Sequence, residues 1–163
     1  MLKFLLAACA LAFMSACAID YAQTGTELRA AASASSQIKT SSYTVSRPVS
    51  AVAQSWRVGA NKCLNRMNTT NMRGNGQVFV SSTLYQTTVQ SLGSGRYEMT
   101  MKASNNVSLR QSAVIYTAVA SASAGGARVE QTWQLMPLGR EVFLDTIQLW
   151  SNGDTSQCPQ LPF

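Results

Sequence analysis

The chain has 163 residues, 46% of them apolar and only 12% charged, with a net charge of +6. That length holds one domain with a real core, and ordinary apolar content with so little charge argues against a chain disordered throughout. Histidine is absent, which removes Ser-His and Cys-His machinery and the commonest metal ligand, and the cations are spread too thinly to form a nucleic-acid footprint.

The N-terminus reads as an export leader. Lys3 supplies a positive start, residues 4–14 are uncharged and apolar, and small residues follow at Ser15, Ala16, Cys17 and Ala18. The apolar run is too short to span a bilayer and fits the h-region of a signal peptide. Met14-Ser15-Ala16-Cys17 resembles the bacterial lipobox, in which the thiol receives a diacylglycerol, the chain is cut before the cysteine, and the new amino group is acylated, palmitate being the expected chain. The resemblance implies a signal peptide over residues 1–16, cleavage between Ala16 and Cys17, and lipidation of Cys17. This sequence departs from the pattern at Met14, where leucine is usual. Leu6-Ala7-Ala8-Cys9 is a second, weaker match that would leave almost no h-region. The alternative is an ordinary A-x-A site at Ala16-Cys17-Ala18, which would release a soluble periplasmic or secreted protein starting at Ile19. By the sorting rule of such lipoproteins, Ala18 in place of Asp implies the outer membrane, periplasmic side.

With Cys9 removed and Cys17 lipidated or removed, Cys63 and Cys158 remain as an even pair in an oxidising compartment. They are expected to form a disulfide closing a loop of about 95 residues, which contributes about 4–5 kcal/mol in the chain-entropy view. Two separately buried thiols are the alternative.

Residues 17–42 are rich in Ala, Ser, Gln and Thr and are read as a lipidated cysteine followed by a flexible tether, with a short helix allowed around 27–34. The single α+β domain is expected over 43–163. Residues 43–45 suit a short strand. Ser46 is then the expected N-cap, with Pro48 in the first helical turn. Val49, Val52, Ala53, Trp56, Ala60, Cys63, Leu64 and Met67 form one continuous helical stripe. On that stripe Trp56 is read as core rather than as a ligand-stacking residue.

"RGNGQ" at 73–77 is a turn signal. Residues 77–91 have β composition, "LGSGR" at 92–96 is a hairpin turn, and 96–103 alternate, with Tyr97, Met99, Met101 and Ala103 inward and Arg96, Glu98, Thr100 and Lys102 on a wet face. Residues 111–121 are apolar on both faces, as a central strand would be. "AGGA" at 124–127 is a turn, and 128–135 alternate again before Pro137. Residues 139–152 fit a helical face through Val142, Phe143, Thr146, Ile147, Leu149 and Trp150. Leu144 does not fit that face, and a strand is the alternative.

The expected fold is therefore α+β in the order β-α-β-β-β-β-α. It is a four-stranded antiparallel meander plus a short N-terminal strand, with two helices packed on one face. This order resembles the helix-grip and TBP-like domains of several bacterial envelope lipoproteins, by element order alone and without motif residues.

Candidate chemistry is sparse. "GSGRY" at 93–97 resembles the Ser-Gly-x-x-Tyr loop of periplasmic lysozyme inhibitors, although no second loop of that family is present. Asn68-Thr69-Thr70 and Asn106-Val107-Ser108 match the N-glycosylation pattern, which bacteria with lipoboxes mostly leave unused. Ser41, Ser42, Ser81 and Ser82 are hydroxyls without a base. Met99, Met101, Met136, Phe79, Tyr85 and Trp133 would line a sheet–helix cavity in a carrier of apolar ligands, or simply fill a core. No nucleotide-binding loop is present, and no cofactor or metal is expected. The expectation is a non-enzymatic, lipid-anchored envelope protein, a structural or interaction module with the membrane and an envelope protein as partners. The apolar-ligand carrier is the alternative, and the lysozyme inhibitor comes third.

Overall fold

The computed structural model describes residues 22–74, 77–105, 112–134, 140–159 and 161. Helix α1 spans Gly25–Ala31, strand β1 Ile38–Val45 and helix α2 Val49–Cys63. Strands β2 to β6 follow at Arg66–Gly74, Gln77–Gly93, Arg96–Asn105, Ser112–Ser123 and Gly126–Gln134, and helix α3 is Arg140–Ser151. Among the described residues the six strands make one antiparallel sheet in the order β1-β6-β5-β4-β3-β2. The class is α+β, as expected.

Helices α2 and α3 cover one face, where Trp56, Met99, Met101, Tyr116, Phe143, Ile147 and Trp150 are fully buried in one cluster. The α2–α3 contact is close because Gly59 has no side chain, and a Cβ there would lie 2.4 Å from the Trp150 ring. Tyr116 meets Phe143 edge-on at 5.1 Å. The Cys63–Cys158 disulfide is formed across 95 residues. It pins the C-terminal segment to the end of α2, beside bonds from Lys62 Nζ to the carbonyls of Thr155 and Ser156 at 3.2 and 2.9 Å.

Several expectations need correction. The meander has five strands, because β2 precedes the four expected ones. Its Asn- and Thr-rich sequence carries no apolar alternation, since an edge strand can hold its place through backbone bonds to one neighbour. The α2 stripe stops at Leu64, and Met67 lies on β2. Helix α2 begins later than Ser46: Pro48 is the N-cap, with extended backbone and no side-chain cap, and a residue before proline is steered away from the helical region. Within residues 17–42, expected to be tether, α1 and the first part of β1 are formed. The helical reading of 139–152 holds, as residues 140–151 are helix rather than the alternative strand, and Leu144, which broke the face, packs half-buried against the core.

The turns agree with their sequences. In the β3–β4 hairpin the central residues Ser94 and Gly95 both have positive φ, 51° and 69°, the geometry of a two-residue primed turn. A bulge skips Ile115 where β5 passes Met101 and Lys102 of β4, bending the sheet locally.

Candidate functional site

The face of the sheet opposite α2 and α3 carries the most distinctive chemistry. Antiparallel partners share a face, so Gln86, Thr88 and Gln90 of β3 stand beside Lys102, Thr100 and Glu98 of β4. With the start of α1 they line an open trough of about 540 Å³. Most of the residues that line it are Gln and Thr, with Leu92 among them.

Glu98 anchors this face. Alternation puts it on the wet side, yet α1 buries it. It accepts hydrogen bonds from Arg29, from Thr117 Oγ1 at 3.1 Å and from Gln90 Nε2 at 3.2 Å. A buried carboxylate needs such partners. Arg29 also reaches Thr26 Oγ1 at 3.0 Å. Gly25 lets the helix come this near: a Cβ there would sit 2.2 Å from Glu98 Oε1 and 2.8 Å from Thr117 Oγ1. Leu28, one turn on, is buried as α1 packs over β5 and β6.

The approach to α1 is equally fixed. Thr24 caps the helix by accepting from the Glu27 amide at 3.2 Å, and Glu27 accepts from the Gln23 amide at 2.6 Å, a near relative of the capping box. Gln23 Nε2 donates to the Ser112 carbonyl at 2.8 Å, and the Val114 amide donates to the Ala22 carbonyl at 2.7 Å.

Beyond the trough, β2 and β3 stay paired as far as Gly74 and Gln77, past Asn105–Thr83, the furthest β3–β4 pairing among the described residues. On the trough side of this ribbon Met67 is 64% exposed, Val78 58%, Val80 54% and Leu84 36%.

The residues singled out in the sequence are dispersed. Ala16, Cys17 and Ala18, on which the expected anchor turns, lie outside the described residues, as do Cys9, Met14, Met136 and Asn106-Val107-Ser108. Tyr85, Met99, Met101 and Trp133 are packed in the core against the helices; of Phe79 only the strand position is described. Two buried polar atoms on the helix side, Thr87 Oγ1 and Trp133 Nε1, lack partners among the described residues. They stand on β3 and β6 with two strands between them, so they form no common site. Ser94 is a turn residue, and Tyr97 lies under Arg57, whose guanidinium is 5.5 Å from the ring centroid; the hairpin accounts for "GSGRY". Ser42 accepts from Arg128, while Ser81 and Ser82 bond across strands to Asn105 and Thr69. Trp56 is core and donates to Ser151 Oγ at 2.9 Å. No cluster of potential metal ligands occurs among the described residues, and none of their helices is long and apolar enough to cross a membrane.

The sequence reading missed the trough, although its signal was present. Gln86, Thr88 and Gln90 recur with period two opposite Glu98, Thr100 and Lys102, a wholly polar face on two adjacent strands. What could not be seen was α1 descending on it.

No protein-family model matches the chain, and no curated protein matches it. Among solved structures the chain is similar to one described as the crystal structure of Ara h 8.0201. The identity is 12% and the TM-score 0.39, over 73% of this chain and 97% of that one.

Proposed function

We propose that this is a lipid-anchored envelope protein, tethered through Cys17 to the periplasmic side of the outer membrane, whose domain works as an interaction module rather than as an enzyme. The trough-side face of the sheet is its contact surface. The observation that carries this reading is the set of exposed apolar side chains Met67, Val78, Val80 and Leu84 on that face. Grouped apolar exposure on a small domain marks a place meant to be covered.

We read the fold as a helix-grip arrangement, with α2 and α3 held against the other face. The apolar-ligand carrier finds less support, because Tyr85, Met99, Met101 and Trp133, which would line its cavity, belong to the packed core. No specific contact favours the lysozyme inhibitor, since Tyr97 is engaged with Arg57.

The test is the mass of the mature N-terminal peptide together with fractionation of a Cys17→Ala variant. Diacylglycerol and acyl groups on Cys17, with release of the variant into the soluble fraction, are the expected results. An unmodified N-terminus at Ile19 would overturn the anchor.

A further inference from the structure

We propose that the occupant of the contact face is the bilayer itself: the trough-side face of the sheet lies against the membrane surface into which Cys17 inserts. This rests on lipidation of Cys17 and adds an orientation to it.

The first argument is the length of the leash and the point where it leaves the fold. A tether running to residue 42 would reach about 85 Å when extended and would leave the domain free to face anywhere. The chain is instead fixed from Ala22, whose carbonyl is held by the Val114 amide, and from Gln23, which bonds to Ser112. Five steps separate Cys17 from Ala22, a reach of about 17 Å at full extension. A lipidated Cys17 therefore keeps the domain at the membrane surface.

The second argument is register. Ser112 pairs with Ser104, Ser104 with Leu84, and Leu84 with Met67, so these residues lie in one row across β5, β4, β3 and β2. Two strand spacings, about 10 Å, take the leash from Ser112 to Leu84. From that row β2 and β3 stay paired to Gly74 and Gln77, with Val78 and Val80 on the same face. The anchor and the apolar side chains thus leave the domain at neighbouring points.

The third argument is charge. Alternation along β4 puts Arg96 and Lys102 on this face, and neither takes part in the ion pairs Arg29–Glu98 and Arg128–Glu130 found among the described residues. Lys102, opposite Gln86, stands close to Leu84, while Arg96 lies at the far, hairpin end of the same face; cations and apolar side chains on one face suit an anionic bilayer interface, where the side chains enter the acyl boundary and the charges meet phosphates. The net charge, +6 for the whole chain and one less once Lys3 leaves with the leader, acts in the same direction.

The test uses the lipidated full-length mature protein in vesicles of phosphatidylethanolamine and phosphatidylglycerol. A polarity-sensitive fluorophore is attached at Val80→Cys, at Met67→Cys as a second position on the face, and at Val142→Cys on exposed α3 as the control. Cys63 and Cys158 are disulfide-bonded and do not compete for label. Expected are a blue shift and loss of most of the fluorescence to brominated acyl chains at 80 and 67, and neither at 142. Lipidated protein, verified by N-terminal mass, with solvent-like emission at all three positions would overturn the orientation while leaving the anchor intact. That result would assign the face to a protein partner. An unlipidated N-terminus would overturn both readings, so the two failures are distinguishable.

Discussion

At the scale of single residues, the tightest polar junction is at Ser151, fully buried at the end of α3. Its hydroxyl bonds to the Ile147 carbonyl at 2.9 Å, to Trp56 Nε1 at 2.9 Å and to the Tyr43 hydroxyl at 2.9 Å. A serine has one proton and two lone pairs. If the proton goes to Ile147, the oxygen accepts from Trp56 and Tyr43, and all three elements are joined without an orphaned group. Burial pushes the Tyr43 phenol up to about 12, only partly offset by Ser151, and pushes buried Tyr116 in the same direction. The folded state holds these phenols neutral above the range in which an unfolded chain ionises them. Their contribution is whole below the ordinary tyrosine value of 10.0 and is lost as pH rises from there toward 12. Urea midpoints should therefore hold up to about pH 9, as far as these groups govern them, and fall above pH 10. Tyr43→Phe should flatten part of that fall, at a neutral-pH cost of about 1 kcal/mol for the lost hydrogen bond. A variant with the unaltered alkaline slope would remove Tyr43 from this account.

At the scale of elements, α1 is short enough that its own helix propensity cannot hold it, so it exists through its docking. Gly25→Ala makes this measurable. Alanine favours helix over glycine by about 1 kcal/mol, so a stabilised α1 would follow if propensity governed it. The new Cβ would instead displace Glu98 and loosen its bond to Arg29. We expect α1 docking to weaken by about 1–3 kcal/mol. Hydrogen exchange should rise over residues 22–37 with little change in α2, the pattern of local opening; equal protection in both regions would show that the close approach carries no weight. The same helix explains what the sequence made legible. Alternation identified the inward faces of β4 and β6, and periodicity identified α2 and the greater part of α3, because in each case a buried stripe wrote itself into one stretch of chain. Helix α1 has one buried leucine and a glycine whose need arises from Glu98, more than seventy positions away, so its local sequence looked like a tether. Glu98 looked exposed for the same reason. Strand β2 was hidden because its order comes from backbone pairing with β3, which leaves no apolar trace. Cys17, the anchor residue we propose, has a motif of its own, whereas the trough depends on three elements meeting.

At the scale of the whole molecule, two connections tie distant parts of the chain together. Strand β1 pairs along its length with β6, and Cys63 is joined to Cys158. The first closes the sheet only when most of the chain is in place, a slow, non-local event. The second restrains the unfolded chain over nearly the same span, so its effect is largest where the polypeptide otherwise has most freedom. A 95-residue separation corresponds to about 4–5 kcal/mol in the chain-entropy view, a large part of the stability of a domain this size. Beside the bridge the C-terminal segment is held by Lys62 to Thr155 and Ser156 and by Trp150 Nε1 to the Gln157 carbonyl at 2.9 Å, and by Leu161, buried with Cys63 in the core. Replacing both cysteines by serine should therefore lower the urea midpoint sharply while leaving the sheet and its exchange pattern intact at low denaturant. The unbridged unfolded state exposes more surface, so the dependence on urea should steepen as well. A double variant with unchanged midpoint and slope would mean that the bridge merely fastens the C-terminal segment after folding. A large loss of midpoint would place it among the main supports of a domain held, in our reading, at the envelope surface, where the oxidising compartment keeps it closed.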